Sequence, residues 1–572
     1  MTTRNEIHEL ELDNCLFEPL GSGSSHFKGK FRATHSTSPL KFFYLKYDEV
    51  KNKKLIKKKG QNDPVFRFHS LSTKPKKLTP QTQTHSTPNR ILPLEPTPKM
   101  EDVSGSVTVI MVPLPAQGHL NQLLELAHLV ACYGIPVHYV GSASHNRQAK
   151  FRSHVPPSSA ASDIRFHDLP TPPILSPDPS LSSPYKFPSQ LQPAFDATSS
   201  LRGPVASLIR SLSSGSRRVV VVHDSLMASV VQDAASVPNA EIYEFNPISA
   251  FTLCWFTWES IGMAPPPEVE VDIAELIASK GLPSLLDFST DEFLKFAESQ
   301  NECKKFHSGC IYNTCRVVEG RFVDLYASAT ANGTATKHWA IGPFNPVKLP
   351  EKRSRRSAHG CMEWLDKQAP SSVMYVSFGT TTVLSDEQIR EIAMGLEYSG
   401  QKFIWVLREA DKADIFGGGG EARIIQLPQG FEEMVAARDL GVVVRDWAPQ
   451  LEILGHPATG GFLSHCGWNS CMESISMGVP ILAWPMHSDQ PRNAVLITRV
   501  LKIGLIVKDW MSQDDLVKSS TIEGAVKALM VSEEGEEARK RAAELGAVVR
   551  GSMDEGGVSR AELDSFIAHI CR

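Results

Sequence analysis

The sequence predicts an α/β protein made of two doubly wound, Rossmann-like domains facing a cleft. Short β-branched runs alternate with amphipathic helices from about residue 105. The alternation stops at a Pro-rich and basic stretch, residues 342–357, and then begins again. Alternation of this kind is the signature of a parallel sheet with helices on both faces, and two rounds of it imply two sheets. The length of 572 residues is ample for two hydrophobic cores.

The first segment, residues 1–104, stands apart. It lacks sustained periodicity and carries the Lys51–Lys59 run ahead of the polar STKPKKLTPQTQTHSTPNR. Such a composition buries too little apolar surface to offset the entropy of ordering, so it reads as a disordered basic extension. Residues 1–100 hold 18 Lys/Arg against 9 Asp/Glu, and the remainder holds 41 against 54. The acidic body gives no electrostatic reason to expect nucleic acid as a partner. Acidic residues at 6, 9, 11 and 13 argue against a transit peptide, and the N-terminus has no apolar run for a secretory signal. Met100 makes a natural start for the folded protein, which leaves the extension dispensable.

The first domain, 105–345, begins with the strand Val107–Val112, a helix through Leu120–Ala131 and the strand Pro136–Val140. Val219–His223 and Glu241–Phe245 continue it. After a linker over 346–360, the second domain, 361–572, offers Ser372–Phe378, Lys402–Leu407, Gly441–Arg445, Gly460–Leu463 and Pro480–Ala483 as strands. The last helix is a candidate to pack back on the first domain. The longest apolar runs are strand-sized, well short of the roughly 20 residues of a membrane helix, and a cytoplasmic protein is expected. Ten cysteines carry no CxxC pair and no metal spacing, which suits buried reduced thiols.

Several chemistries lose their support at once. No G-x-x-x-x-G-K-[ST] loop occurs, and no G-x-G-x-x-G opens a helix after a strand. Gly417–Gly420 has no strand before it and reads as a flexible connection. No Asp-x-Asp pair is present to hold a diphosphate through a metal, and no cofactor is called for.

The informative segment is Trp447 to Gln490, WAPQLEILGHPATGGFLSHCGWNSCMESISMGVPILAWPMHSDQ. A strand ends in Ser464-His465-Cys466-Gly467, and Trp468-Asn469-Ser470 opens a helix. N–H groups at such a start attract an anion, and Gly467 allows close approach. His465, Asn469 and Ser470 add donors for a diphosphate. Glu473 lies one turn beyond Asn469 for a ribose, Trp447 offers a flat face for a base, and Asp489 with Gln490 can hold sugar hydroxyls.

This 44-residue segment resembles the signature of the plant UDP-dependent glycosyltransferases of secondary metabolism, from WAPQ through HCGWNS to the closing DQ. The resemblance implies a GT-B type fold and a UDP-sugar co-substrate. It implies that Trp447 stacks on uracil while the main chain of Ala448 reads its edge. Gln450 and Glu473 would hold the ribose, and His465, Asn469, Ser470 and Thr380 the diphosphate. Trp468, Asp489 and Gln490 would contact the sugar, with Gln490 favouring glucose. VPLPAQGHLNQLLELAHLV, VHYVGSASHNRQAKFR and AWPMHSDQPRNAVLITRVLKIGLIVKDW are closest to the zeatin O-glucosyltransferase branch, whose donors are UDP-glucose or UDP-xylose.

An alcohol attacks poorly unless its proton is removed, so the acceptor side needs a base. His119 follows the first strand at a helix start, where the dipole favours a neutral ring. The family has a matching histidine there. Asp224, ending the strand Val219–His223, can orient it. His223 points to the opposite face and is left out. His145, Asn146 and Arg147 are candidate branch markers, and Phe251 or Trp255 candidates for the acceptor pocket.

The reading is therefore an inverting, metal-independent transfer of glucose or xylose to the side-chain hydroxyl of a zeatin-type cytokinin. Two alternatives stay open: a glucosyltransferase for a flavonoid, phenolic or terpenoid alcohol, and a non-catalytic protein binding UDP-sugar or hormone. The expected partners are a UDP-sugar and a small hydroxyl acceptor, with a monomeric chain, no membrane and no nucleic acid.

Overall fold

A computed structural model of the chain describes residues 106–572 apart from 153–163, 175–186, 188, 262–283, 285–287, 305–306, 331–335, 350–359, 409–425 and 509–515. The basic extension, Gly417–Gly420 and most of the linker lie outside the described residues.

The first unit runs β1 (Val107–Val112), α1 (Gln117–Ala131), β2 (Val137–Gly141), α2 (Ala143–Arg152) and β3 (Ile164–Asp168). It continues with α3 (Arg202–Ser213), β4 (Arg218–Asp224), β5 (Ala240–Asn246), α4 (Ala250–Ile261), α5 (Asp291–Glu302), β6 (His307–Tyr312), α6 (Arg316–Thr330) and β7 (Lys337–Ala340). Its seven strands are parallel in the order β3-β2-β1-β4-β5-β6-β7. All six residues of β1 are buried, as a strand covered by helices on both faces requires.

The second unit runs β8 (Val373–Ser377), α7 (Asp386–Ser399), β9 (Lys402–Val406), β10 (Gly441–Val444), β11 (Thr459–Ser464), α8 (Trp468–Met477) and β12 (Ile481–Ala483). Then come α9 (Gln490–Val495), β13 (Gly504–Ile506), α10 (Ser519–Val531), α11 (Glu533–Ser552) and α12 (Val558–Cys571). Its strand order is β10-β9-β8-β11-β12-β13, again parallel.

The two units share a core. One apolar cluster joins Phe251, Tyr312 and Phe322 to Trp468, Ile475 and Leu496. Helix α12 places Leu563, Phe566, Ile567 and Ile570 among the core residues of the first sheet. No helix of the described residues is long and apolar enough to cross a membrane.

Two details differ from the sequence reading. Helix α1 starts at Gln117, ahead of Leu120, because the N–H groups of His119 and Leu120 both bond to the Ala116 carbonyl. Its first turn is polar and carries no apolar signal. Strands β3, β6, β7 and β13 were also not anticipated. Each is short or mixed in polarity: IRFHD, HSGCIY, KHWA and GLI.

Candidate active site

Ligands of an open parallel sheet bind beyond the carboxyl ends of its strands, where the strand order reverses. In the first sheet that point lies between β1 and β4, paired in register with Val112 opposite His223. In the second it lies between β8 and β11, with Ser377 opposite Ser464. His119 and Asp224 follow from the first pair of strand ends, and Thr380 and His465 from the second. All of these except the fully buried Asp224 line one cleft of about 760 Å³.

His119 Nδ1 lies 2.7 Å from Asp224 Oδ2. A carboxylate only accepts, so Nδ1 carries the proton and donates, leaving Nε2 as an acceptor. Asp224 Oδ1 accepts from the Leu226 N–H at 3.0 Å, so both carboxylate oxygens are engaged. The ring is 24% exposed and the carboxylate 0%. Burial lowers the His119 pKa, but the charge and hydrogen bond of Asp224, with a contribution from Asp489, carry it above its ordinary value. The helix-start argument for a neutral ring is thus overridden by the two carboxylates. His223 turns away: Nδ1 donates to the Asp224 carbonyl at 2.7 Å and Nε2 meets His307 Nε2 at 2.9 Å.

On the donor side, helix α8 aims its N-terminus at the cleft directly after β11. Cys466 adopts φ +63°, a left-handed conformation uncommon outside glycine, and its N–H donates to Ser464 Oγ at 3.1 Å. The His465 ring lies against two glycines. A Cβ on Gly379 would come within 2.6 Å of its Nε2, and one on Gly467 within 2.5 Å. Burial pushes the His465 pKa down to about 4, so the ring is neutral. Asn469 Nδ2 donates across the cleft to the Gly118 carbonyl at 2.9 Å.

Gln450 Nε2 donates to Ser470 Oγ at 3.0 Å and to Glu473 Oε2 at 2.7 Å, while its Oε1 accepts from the Tyr375 hydroxyl at 3.2 Å. Burial raises the Glu473 pKa to about 7. Trp447 lines the cleft beside them, and the Ala448 carbonyl accepts from the Gln450 N–H at 2.9 Å. Gln490 lines the cleft and uses its side-chain oxygen to accept from the Met486 and His487 N–H groups at 2.9 and 3.1 Å. Burial also raises the Asp489 pKa.

The Trp468 indole is 3% exposed and donates to the Asn313 carbonyl at 2.7 Å, and the residue lines the cleft at the start of α8. The candidates for the acceptor pocket need correction. Phe251 is fully buried in the shared core and Trp255 packs against that core, so neither lines the cleft. The aromatic residues that do line the cleft include Phe187, Phe195, Phe256, Phe288 and Phe293. The branch-marker candidates His145 and Asn146 make local bonds: His145 Nδ1 meets Ser142 Oγ at 2.8 Å and Asn146 Nδ2 donates to Asp168 at 2.7 Å. Tyr375 was missed because VMYVS reads as a plain core strand.

Facing switch points over a shared cleft is the GT-B arrangement of glycosyltransferases. Residues 105–346 match the family model for the glycosyltransferase N-terminal domain. Residues 353–536 match the model for UDP-glucoronosyl and UDP-glucosyl transferase. The chain is 54% identical over 466 residues to a Phaseolus lunatus protein named zeatin O-glucosyltransferase, covering 82% of this chain and 97% of that one. It is also 54% identical to a Phaseolus vulgaris zeatin O-xylosyltransferase, covering 82% and 98%. The crystal structure of a UGT transferase from Siraitia grosvenorii in complex with UDP aligns with a TM-score of 0.64 at 29% identity, over 82% of this chain and all of that one. The chain belongs to the UDP-glycosyltransferase family.

Proposed function

We propose that this protein transfers glucose or xylose from a UDP-sugar to the side-chain hydroxyl of a zeatin-type cytokinin, with inversion and without a metal. The observation that carries the chemistry is the His119–Asp224 pair at 2.7 Å, with His119 in the same cleft as the donor segment. The relatives named for zeatin, at 54% identity over most of both chains, support the acceptor.

In this reading the acceptor hydroxyl gives its proton to His119 Nε2 as its oxygen attacks the anomeric carbon. The new C–O bond forms on the face opposite the departing UDP, which leaves with the bonding electron pair. An α-linked UDP-sugar therefore yields a β-glycoside. Asp224 stabilises the imidazolium that forms. The N–H groups at the start of α8, with neutral His465, take up charge growing on the diphosphate. Gln450 and Glu473 hold the ribose, Trp447 and the Ala448 backbone the uracil, Thr380, Asn469 and Ser470 the phosphates, and Asp489 with Gln490 the sugar hydroxyls. The aromatic residues lining the cleft suit a flat ring.

The test is product formation by the purified chain from UDP-glucose and UDP-xylose with trans-zeatin, cis-zeatin and a simple flavonol. An O-glycoside of zeatin that falls by roughly 10²- to 10⁴-fold in His119→Ala is the expected result. Product with the flavonol alone overturns the acceptor assignment. UDP-glucose binding without any transfer favours the non-catalytic reading.

A further inference from the structure

We propose that Asn493 is a positioning residue that orients Asp489 toward the donor sugar and ties that orientation to the seating of the two domains. The proposal rests on the reading above, in which Asp489 meets the sugar hydroxyls. Asn493 lies in α9, just past the end of the 44-residue segment, and is 0% exposed. Its Nδ2 donates to Asp489 Oδ2 at 2.7 Å and to the Cys466 carbonyl at 2.9 Å. Its Oδ1 accepts from the Ser249 hydroxyl at 2.7 Å and from the Thr252 hydroxyl at 3.2 Å.

Both amide hydrogens are thereby used, and Oδ1 faces two hydroxyls that also lie 2.7 Å from each other. The amide has one sensible orientation, because turning it over would set its oxygen against a carboxylate and a carbonyl. Ser249 and Thr252 belong to the start of α4 in the first domain, whereas Asp489 and Cys466 belong to the second. One fully buried side chain thus connects the acceptor domain, the left-handed turn before α8, and a sugar-side carboxylate.

The two donor-side contacts are unequal. The Cys466 turn has a second anchor, its own N–H bonded to Ser464 Oγ. Asp489 has Asn493 as its one side-chain partner among the described residues, beside its own backbone N–H. Loss of Asn493 must then disturb the sugar contact more than the diphosphate contact. A purely structural role makes no such distinction.

The experiment compares native protein with Asn493→Ala, Ser249→Ala, their double variant and Asp489→Asn. It reads kcat/KM for UDP-glucose with trans-zeatin, and Kd for UDP by calorimetry. Asn493→Ala is expected to lose about 10- to 100-fold in kcat/KM while UDP affinity changes less than about threefold. Ser249→Ala should lose a few-fold in the same direction, with the double variant no worse than Asn493→Ala alone. Equal losses of UDP and UDP-glucose affinity, or losses that multiply independently in the double variant, overturn the proposal. If Asn493→Ala does not fold, an unchanged ratio of UDP-glucose kcat/KM to UDP affinity in Ser249→Ala overturns it. An Asp489→Asn variant with native kcat/KM overturns it while leaving glycosyl transfer intact. Native protein that turns over no UDP-glucose with any acceptor overturns the transfer reading itself.

Discussion

A histidine in the first turn of a helix starts with a bias toward the neutral ring, since the helix N-terminus opposes added positive charge. At His119 burial acts in the same direction, yet the Asp224 carboxylate, with a contribution from Asp489, outweighs burial. The base must be neutral to accept a proton, so a raised pKa means kcat/KM climbs with pH through a midpoint above 6.5. Asp224→Asn removes the main raising influence and leaves burial, which lowers. Its acid limb should therefore move to lower pH while the plateau falls by roughly 10²-fold or more. A pH–rate profile checks both, and an acid limb that stays put would mean another group sets it. His119, Asp224 and the 447–490 residues stand out in the sequence because they match the family signature in type and order. The phenylalanines of the cleft, Tyr375 and Asn493 do not, because apolar residues and a single amide look the same whether they face a ligand or a core.

Helices α4 and α6 show how an element is held in place by a group with no part in the reaction. Glu319 interrupts α6 with φ −130° and ψ 18°. Its carboxylate accepts from the Ala250 and Phe251 N–H groups at 3.1 and 2.8 Å, so it caps α4 from a neighbouring helix. Burial raises its pKa to about 7, against the opposing pull of those N–H bonds. Between the ordinary carboxylate value and 7 the folded state binds more protons than the unfolded one. This contribution to stability is therefore present at low pH and is lost as pH rises through about 7. Glu319→Gln keeps an oxygen for the two N–H groups and does not titrate. Denaturant unfolding should show native stability falling relative to this variant by about 1–3 kcal/mol from pH 4.5 to 8. A constant difference would mean the carboxyl is ionised throughout. The cap was invisible in the sequence, since residues 69 positions apart meet only after folding. The central strands were legible because a strand buried on both faces must be almost wholly apolar. Edge strands β3 and β13 feel no such constraint.

Across the whole molecule, each sheet brings its own switch point to the cleft, and several connections hold the two units together. Asn469 bonds to Gly118, Trp468 bonds to Asn313, Asn493 bonds to Ser249 and Thr252, Arg492 pairs with Glu259, and an apolar cluster runs unbroken between the units. The chain end adds another. Helix α12 follows the second sheet in sequence but sits in the core of the first, where Phe566 packs edge-on to Tyr243 and Trp339 at centroid distances of 5.7 and 5.3 Å. A strap of this kind makes neither unit independent: loosening α12 exposes the first sheet and frees the second to drift. Phe566→Ala should cost about 3–5 kcal/mol, the range for removing a large aromatic from a core. The distribution of that cost is the sharper test. Hydrogen exchange in the variant should lose protection in β1, β4 and β5, and also in α8, whose first turn bonds to the first domain. Loss confined to α12 would mean that the helix frays alone and that the cleft geometry is set by the shared core and the other inter-domain bonds without it.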